Sequence, residues 1–480
     1  MSQLDINEFR KMGHQLVDRM AEYLEGVEDQ ALFPDVSPKH LEKLFSEPLP
    51  EHSVPAEEIL EELEEKLFPF CCHVNHPGYF GFITSTPTPV GILGDFICSA
   101  LNQNLGLYTI GPGAVTLERR AVRWLSDLVG YNEQAGGHLT SGGTMANLEG
   151  IKLARDRVSD NKVQHEGIRN QWAVYVSEER HVSIDKAVDI IGVGRDALRK
   201  IPTNNKFQIN IEALEEAIAA DRNQGIKPMC VIGLAGTTNT GAIDPLKTLK
   251  KIAEREEVWF HVDAAYGGGM LLSNKWPGLL EGIELADSIT IDPHKWFFAP
   301  LDAGAILVKD RTQLTRSFGM EPAYLIDEMD HEKARFDYYV HSLEQSRRFR
   351  GLKVWMSFKR YGSKEIGRWI DSNVEQTLHL YSLCKEHPNF EPATYPPMSA
   401  ICIRYQSTDL GEEHSKRLHR EVARRVEENG NYWITTTHLK GKSWFRINPV
   451  NFRTRIEHME GLLSELQHEC ERVASSLKNQ

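Results

Sequence analysis

From His138 to Val308 the chain alternates short apolar, β-branched runs with helical segments, and each run stops at a turn rich in Gly, Pro, Asp or Ser. The runs are the entry at His138–Thr140, then Trp172–Ser177, Met229–Leu234, Val258–Val262 and Ser288–Ile291. Helices are expected between them, one carrying Leu148, Ile151 and Leu153, one beginning at His181 and Ser183, and one started by Asp244-Pro245 and running to Ala253. Strand–helix repetition of this kind predicts a mostly parallel sheet covered on both faces. Gly304–Val308 follows Ser288–Ile291 closely enough to be its antiparallel neighbour. In such a sheet a ligand lies beyond the carboxyl ends of the strands. Ser141–Thr144, His181, Thr238, Asp263 and Lys295 all fall at those ends.

The residues gathered there differ in chemistry. Lys295 stands in A-D-S-I-T-I-D-P-H-K-W, residues 286–296, where Pro293 ends a buried strand and presents His294 and Lys295 on a loop. Taken alone, this lysine reads equally as a side chain snorkelling from an apolar loop or as a desolvated amine nucleophile. Ser141-Gly142-Gly143-Thr144 opens a helix and offers free backbone N–H groups to an anion, the plain alternative being a glycine turn capped by Thr144. No lysine follows the glycines, which argues against a nucleoside triphosphate.

The formal charge of −13 over 480 residues argues against nucleic acid or anionic lipid as a partner. Seven cysteines without metal-ligand spacing suit reduced thiols. With no apolar leader and no window long enough to span a membrane, the expectation is a cytoplasmic globule. Three regions are expected: a helical dimerisation arm over 1–85, a large α/β cofactor-binding domain over 86–360 and a small α+β domain over 361–480. In the arm, helical stripes at 5–27 and 56–67 flank a proline-rich strap, expected to be extended, with apolar faces that need a partner. The tract E-M-D-H-E-K-A-R-F-D-Y-Y, residues 328–339, is expected to be a mobile active-site loop.

An amine, an anion cradle, a ring at His181 and a carboxylate at Asp263 together suit pyridoxal 5′-phosphate: its aldehyde, phosphate, ring face and pyridine nitrogen. At this point the sequence resembles the pyridoxal-phosphate-dependent group II decarboxylases, in particular the aromatic-L-amino-acid decarboxylase branch. The resemblance rests on H-V-D-A-A-Y-G at 261–267, D-P-H-K-W at 292–296, and R-R-F-R-G-L-K-V-W at 347–355. It implies the pyridoxal-phosphate-dependent transferase-like fold (fold type I) and a homodimer with shared active sites. It further implies that Lys295 is the Schiff-base lysine, Asp263 the partner of the ring nitrogen, and His181 the stacked ring. Ala265 would pack the opposite face with Thr238 beside it; Gly143, Thr144 and His294 would hold the phosphate. Tyr338 would be the loop tyrosine that protonates the substrate carbon.

The substrate wall is expected from Phe82, Ile83 and Thr84, joined across the dimer by Asn104 and Gly106, where animal relatives carry larger apolar residues; Val74 replaces a tryptophan. Asp292 stands where many relatives have asparagine. The expected activity is decarboxylation of an L-amino acid, with an aromatic side chain favoured because 74–84 and 102–108 hold no cation. The rivals are a non-aromatic substrate, decarboxylation coupled to oxidative deamination, and a non-catalytic binding protein.

Overall fold

The computed structural model describes residues 6–320, 335–406 and 411–478. Its central sheet has seven strands: β1 (Gly136–Thr140), β2 (Trp172–Ser177), β3 (Leu198–Ile201), β4 (Lys227–Leu234), β5 (Trp259–Asp263), β6 (Ser288–Ile291) and β7 (Gly304–Val308). Their order is β1-β7-β6-β5-β4-β2-β3. The five strands from β6 to β3 run parallel, and β7 lies antiparallel between β6 and β1.

Every residue of β2, β5, β6 and β7 is buried, so these strands show no alternation of apolar and polar positions. The alternation appears instead in where the side chains go. Ala173, Tyr175, Val231, Phe260 and Val262 join one apolar cluster, while Trp172, Val174, Val176, Ile232 and Trp259 join another. A period-two strand with a core on each side is what a sheet covered by helices on both faces requires.

A second sheet, antiparallel and four-stranded, comprises β8 (Phe390–Pro392), β9 (Ile401–Tyr405), β10 (Thr435–Leu439) and β11 (Lys442–Ile447) in the order β10-β11-β9-β8. Helices Glu412–Asn429 and Ile456–Lys478 close a separate core over it through Leu418, Val422, Leu462 and Leu466. The long helix Gly351–Glu386 connects the two sheets and kinks at Gly362, whose φ of 72° is left-handed.

Two local expectations need correction. The strap is not wholly extended, because Ser37 caps a short helix, Pro38–Leu44, with proline at its first position, where the missing N–H costs nothing. Asp244 does not cap the helix Leu246–Arg255. Its carboxylate turns inward and accepts from the backbone N–H groups of Ile209 and Leu234. The helix Ile6–Gly26 has no buried residue, and leaves Phe9, Leu16 and Val17 at least 40% exposed.

Candidate active site

A cavity of about 330 Å³ opens at the carboxyl ends of the parallel strands. Gly143, Thr144, His181, Thr238, Asp263, Ala265, His294 and Lys295 all line it, together with Ile83, Glu179 and Asp292. These residues span more than 200 positions of chain and meet only because their strands end side by side.

The helix Gly143–Val158 starts without a side-chain cap, since its first boundary residue is Gly142 and no hydroxyl bonds back to the first turn. Its leading N–H groups are therefore free for an anion. Gly142 has φ of 147°, and a Cβ on Gly304 would strike its backbone. At Gly143 a Cβ would lie 2.8 Å from Oδ2 of Asp292 and 3.1 Å from Cβ of Ala265, so only glycine keeps this turn open. Beside it, Nδ1 of His294 accepts from the N–H of Ala303 at 3.0 Å. The neutral ring consequently carries its proton on Nε2, the nitrogen on the side of Asp292.

Lys295 follows β6 by four residues, and its Nζ lies 3.0 Å from Oδ2 of Asp292. Asp292 is 2% exposed, and its Oδ1 has no hydrogen-bond partner. It offers no donor to an anion; its contact is with the lysine. At the end of β5, Asp263 accepts from Nδ2 of Asn147 at 2.8 Å and from the N–H of Ala265 at 3.1 Å. His181 caps the helix Val182–Ile190, its Nδ1 accepting from the N–H of Ser183 at 3.2 Å. Burial holds both His181 and His294 below the ordinary imidazole range, and pushes the Glu179 carboxyl up.

The chemistry of this donor set fits pyridoxal phosphate. An uncapped helix start with an adjacent imidazole N–H suits the phosphate, an accept-only carboxylate suits a protonated ring nitrogen, and a primary amine suits the aldehyde.

Several expected residues lie elsewhere. Tyr338 is fully buried in a cluster with Cys98, Leu105, Val115 and Phe349, its ring covered by Arg347 at 4.2 Å. Its hydroxyl is buried without a hydrogen-bond partner among the described residues, and it does not line the cavity of its own chain. Of the tract 328–339, residues 328–334 lie outside the described residues.

Asn104 and Gly106 do not line this chain's cavity either. Oδ1 of Asn104 accepts from the N–H groups of Gly106 and Arg347, and a Cβ at 106 would strike the Gln345 carbonyl. Close backbone packing accounts for both residue types. Phe82 is 57% exposed and sits edge-on to Trp433, while Val74 and Thr84 line a neighbouring groove of about 740 Å³.

Sequence reading missed Asn147, Glu179 and Arg446. Arg446, 5% exposed, donates to the carbonyls of Thr238 and Gly81, both at 2.7 Å, and its Nη2 is buried without a partner. A polar residue one turn into the helix after S-G-G-T was the available signal for Asn147; β11 gave none for Arg446.

Residues 38–406 match the model of the pyridoxal-dependent decarboxylase conserved domain. The chain is 32% identical to the aromatic-L-amino-acid decarboxylase of Bacillus atrophaeus over 479 residues, covering 99% of this chain and 98% of that protein. It is 31% identical to the phenylacetaldehyde synthase of Petunia hybrida, covering 93% and 91%. Among solved structures, Oryza sativa TDC with PLP and tryptamine superposes with a TM-score of 0.93 at 27% identity, covering 98% and 99%. A catalytic-type lysine, anion cradle and ring-nitrogen carboxylate in one cavity, on a chain matched over most of its length, make this protein a member of the pyridoxal-phosphate-dependent decarboxylase family.

Proposed function

We propose that this decarboxylase acts on an aromatic L-amino acid and releases the corresponding amine. The observation that carries the substrate class is the wall beside the reactive lysine. Ile83 lines the cavity, and the next residues in the chain, Thr84 and Ser85, line a separate groove together with Leu67, Phe68, Val74, Pro87 and Pro300. An apolar surface of this kind suits an aromatic ring. The relatives with aromatic substrates in their names support the same reading.

When bound, the cofactor supplies the electron sink into which the bond to the departing carboxylate empties. The chain supplies the rest. Lys295 holds its amine beyond the end of β6, Asp263 accepts two N–H bonds, and His181 holds an Nε2 proton at the cavity. Arg446, whose buried Nη2 has no partner among the described residues and whose Nε holds the carbonyl of the cavity residue Thr238, would be the cation to steady the substrate's α-carboxylate. The proton returned to the substrate carbon comes from Tyr338, as the family resemblance implies, or from His181, the cavity imidazole that keeps a proton on Nε2.

We also propose a homodimer, supported by the apolar faces left open on the arm and on Pro89–Leu101, where Phe9 stacks on Phe96 and Leu93, Ile97 and Leu101 stay exposed. Seven unpaired cysteines suit the reducing cytoplasm, which fractionation checks.

The test is a panel of amino acids scored for CO₂ and for amine against aldehyde. Tryptophan, tyrosine or phenylalanine should give amine in step with CO₂. Turnover of glutamate or aspartate alone would overturn the substrate class, and peroxide with aldehyde would overturn the outcome.

A further inference from the structure

Behind the cavity runs a chain of hydrogen bonds whose direction is fixed by its members. The Asp263 carboxylate only accepts, so the Asn147 atom facing it at 2.8 Å is the amide nitrogen. Its second proton goes to Oγ of Ser183 at 3.0 Å. Ser183 in turn donates to Nδ1 of His181 at 2.9 Å. On the other side, Oδ1 of Asn147 must accept, and its partner is Nε2 of His261 at 2.9 Å. His261 therefore holds its proton on Nε2 and accepts at Nδ1 from Ser288, 2.7 Å away. Ser288 accepts from Nε1 of Trp259 at 2.8 Å, a group that can only donate.

We propose that Asn147 is a positioning residue, one amide that sets the Asp263 carboxylate and, through Ser183, the His181 imidazole in a fixed mutual orientation. The two groups meant for the cofactor's ring nitrogen and ring face thus share one support, held from behind by His261, Ser288 and Trp259. Asn147 is 1% exposed and His261 and Ser288 are unexposed, so water does not replace a lost link. The fold also makes room for the chain: at Gly150, one turn beyond Asn147, a Cβ would lie 2.5 Å from Cε1 of His261. This inference rests on pyridoxal phosphate occupying the cavity.

Two variants separate positioning from plain packing. Asn147→Asp keeps the shape and the His261 bond but turns an oxygen toward Asp263; Asn147→Leu removes every bond at similar volume. Titrating each apoprotein with pyridoxal phosphate, followed by protein fluorescence, should show a dissociation constant raised about tenfold or more. The pH midpoint of the bound cofactor's visible absorbance should move by about half a unit or more, because Asp263 and His181 no longer keep their set orientation.

A lowered unfolding temperature with the parent's dissociation constant and midpoint would mean that Asn147 only packs. Should both variants fail to fold, Ser288→Ala, two links away, should raise the dissociation constant roughly threefold, and no change there overturns the chain. A parent protein that takes up no pyridoxal phosphate would strike the cofactor reading itself, and this inference with it.

Discussion

Removing the hydroxyl of Tyr338 deletes a buried group that makes no hydrogen bond, so Tyr338→Phe loses no interaction and gains from not desolvating an O–H. The variant should equal or exceed the parent's stability by about 1 kcal/mol in denaturant titration, and an amine yield equal to the parent's would remove Tyr338 from the chemistry. Aldehyde in place of amine would assign it the proton donation that the family resemblance implies. Lys295→Ala should behave oppositely, losing roughly a thousandfold or more in kcat/KM at nearly unchanged unfolding temperature, as its side chain is partly exposed and fills little of the core. Lys295 and Asp263 could be found in the sequence because each ends a recognisable strand. Tyr338 could not be placed, because F-D-Y-Y carries no periodicity that tells a solvent-facing ring from one sealed beneath Arg347 and Phe349.

Among the elements, the helix Gly143–Val158 serves the site twice, by its uncapped start and by Asn147 one turn in. Its start was readable from S-G-G-T, since glycine there has a backbone reason. The role of Asn147 was not, because its partners Asp263 and His261 on β5 lie more than 100 residues away.

The N-terminal helices are the opposite case, with an amphipathic pattern plain in sequence and little in this chain to cover it. Each apolar side chain left wet forgoes ~25 cal/mol per Å² that a partner surface would recover. Deleting residues 1–67 should shift the protein from dimer to monomer in sedimentation at micromolar concentration, and a truncated chain that stays fully dimeric would assign the interface elsewhere.

At the scale of the whole molecule, buried imidazoles set the response to acid. Burial, joined at His419 by the Arg404 charge, pushes His261 and His419 down to about 4. Both rings are neutral in the fold and take up a proton on unfolding once the pH falls below the ordinary value near 6.5. The unfolded chain then binds more protons, so stability falls as pH drops from about 6.5 toward 4, by of order 3 kcal/mol for each such group. His419→Gln should flatten the pH dependence of unfolding between pH 6.5 and 5 relative to the parent. Identical slopes would show that His419 is not held neutral.

The sequence by itself determined the strand–helix alternation, the antiparallel β7 and the strand-end positions of Lys295, Asp263, His181 and Ser141–Thr144. Those features depend on neighbouring residues and on a period of two or 3.6. Tertiary structure alone decided which strand ends lie together, that β11 brings Arg446 beside Thr238, and that Tyr338, Asn104 and Gly106 serve packing in this chain. Strand order and burial are fixed by contacts between distant segments, and local pattern carries no record of which segments those are.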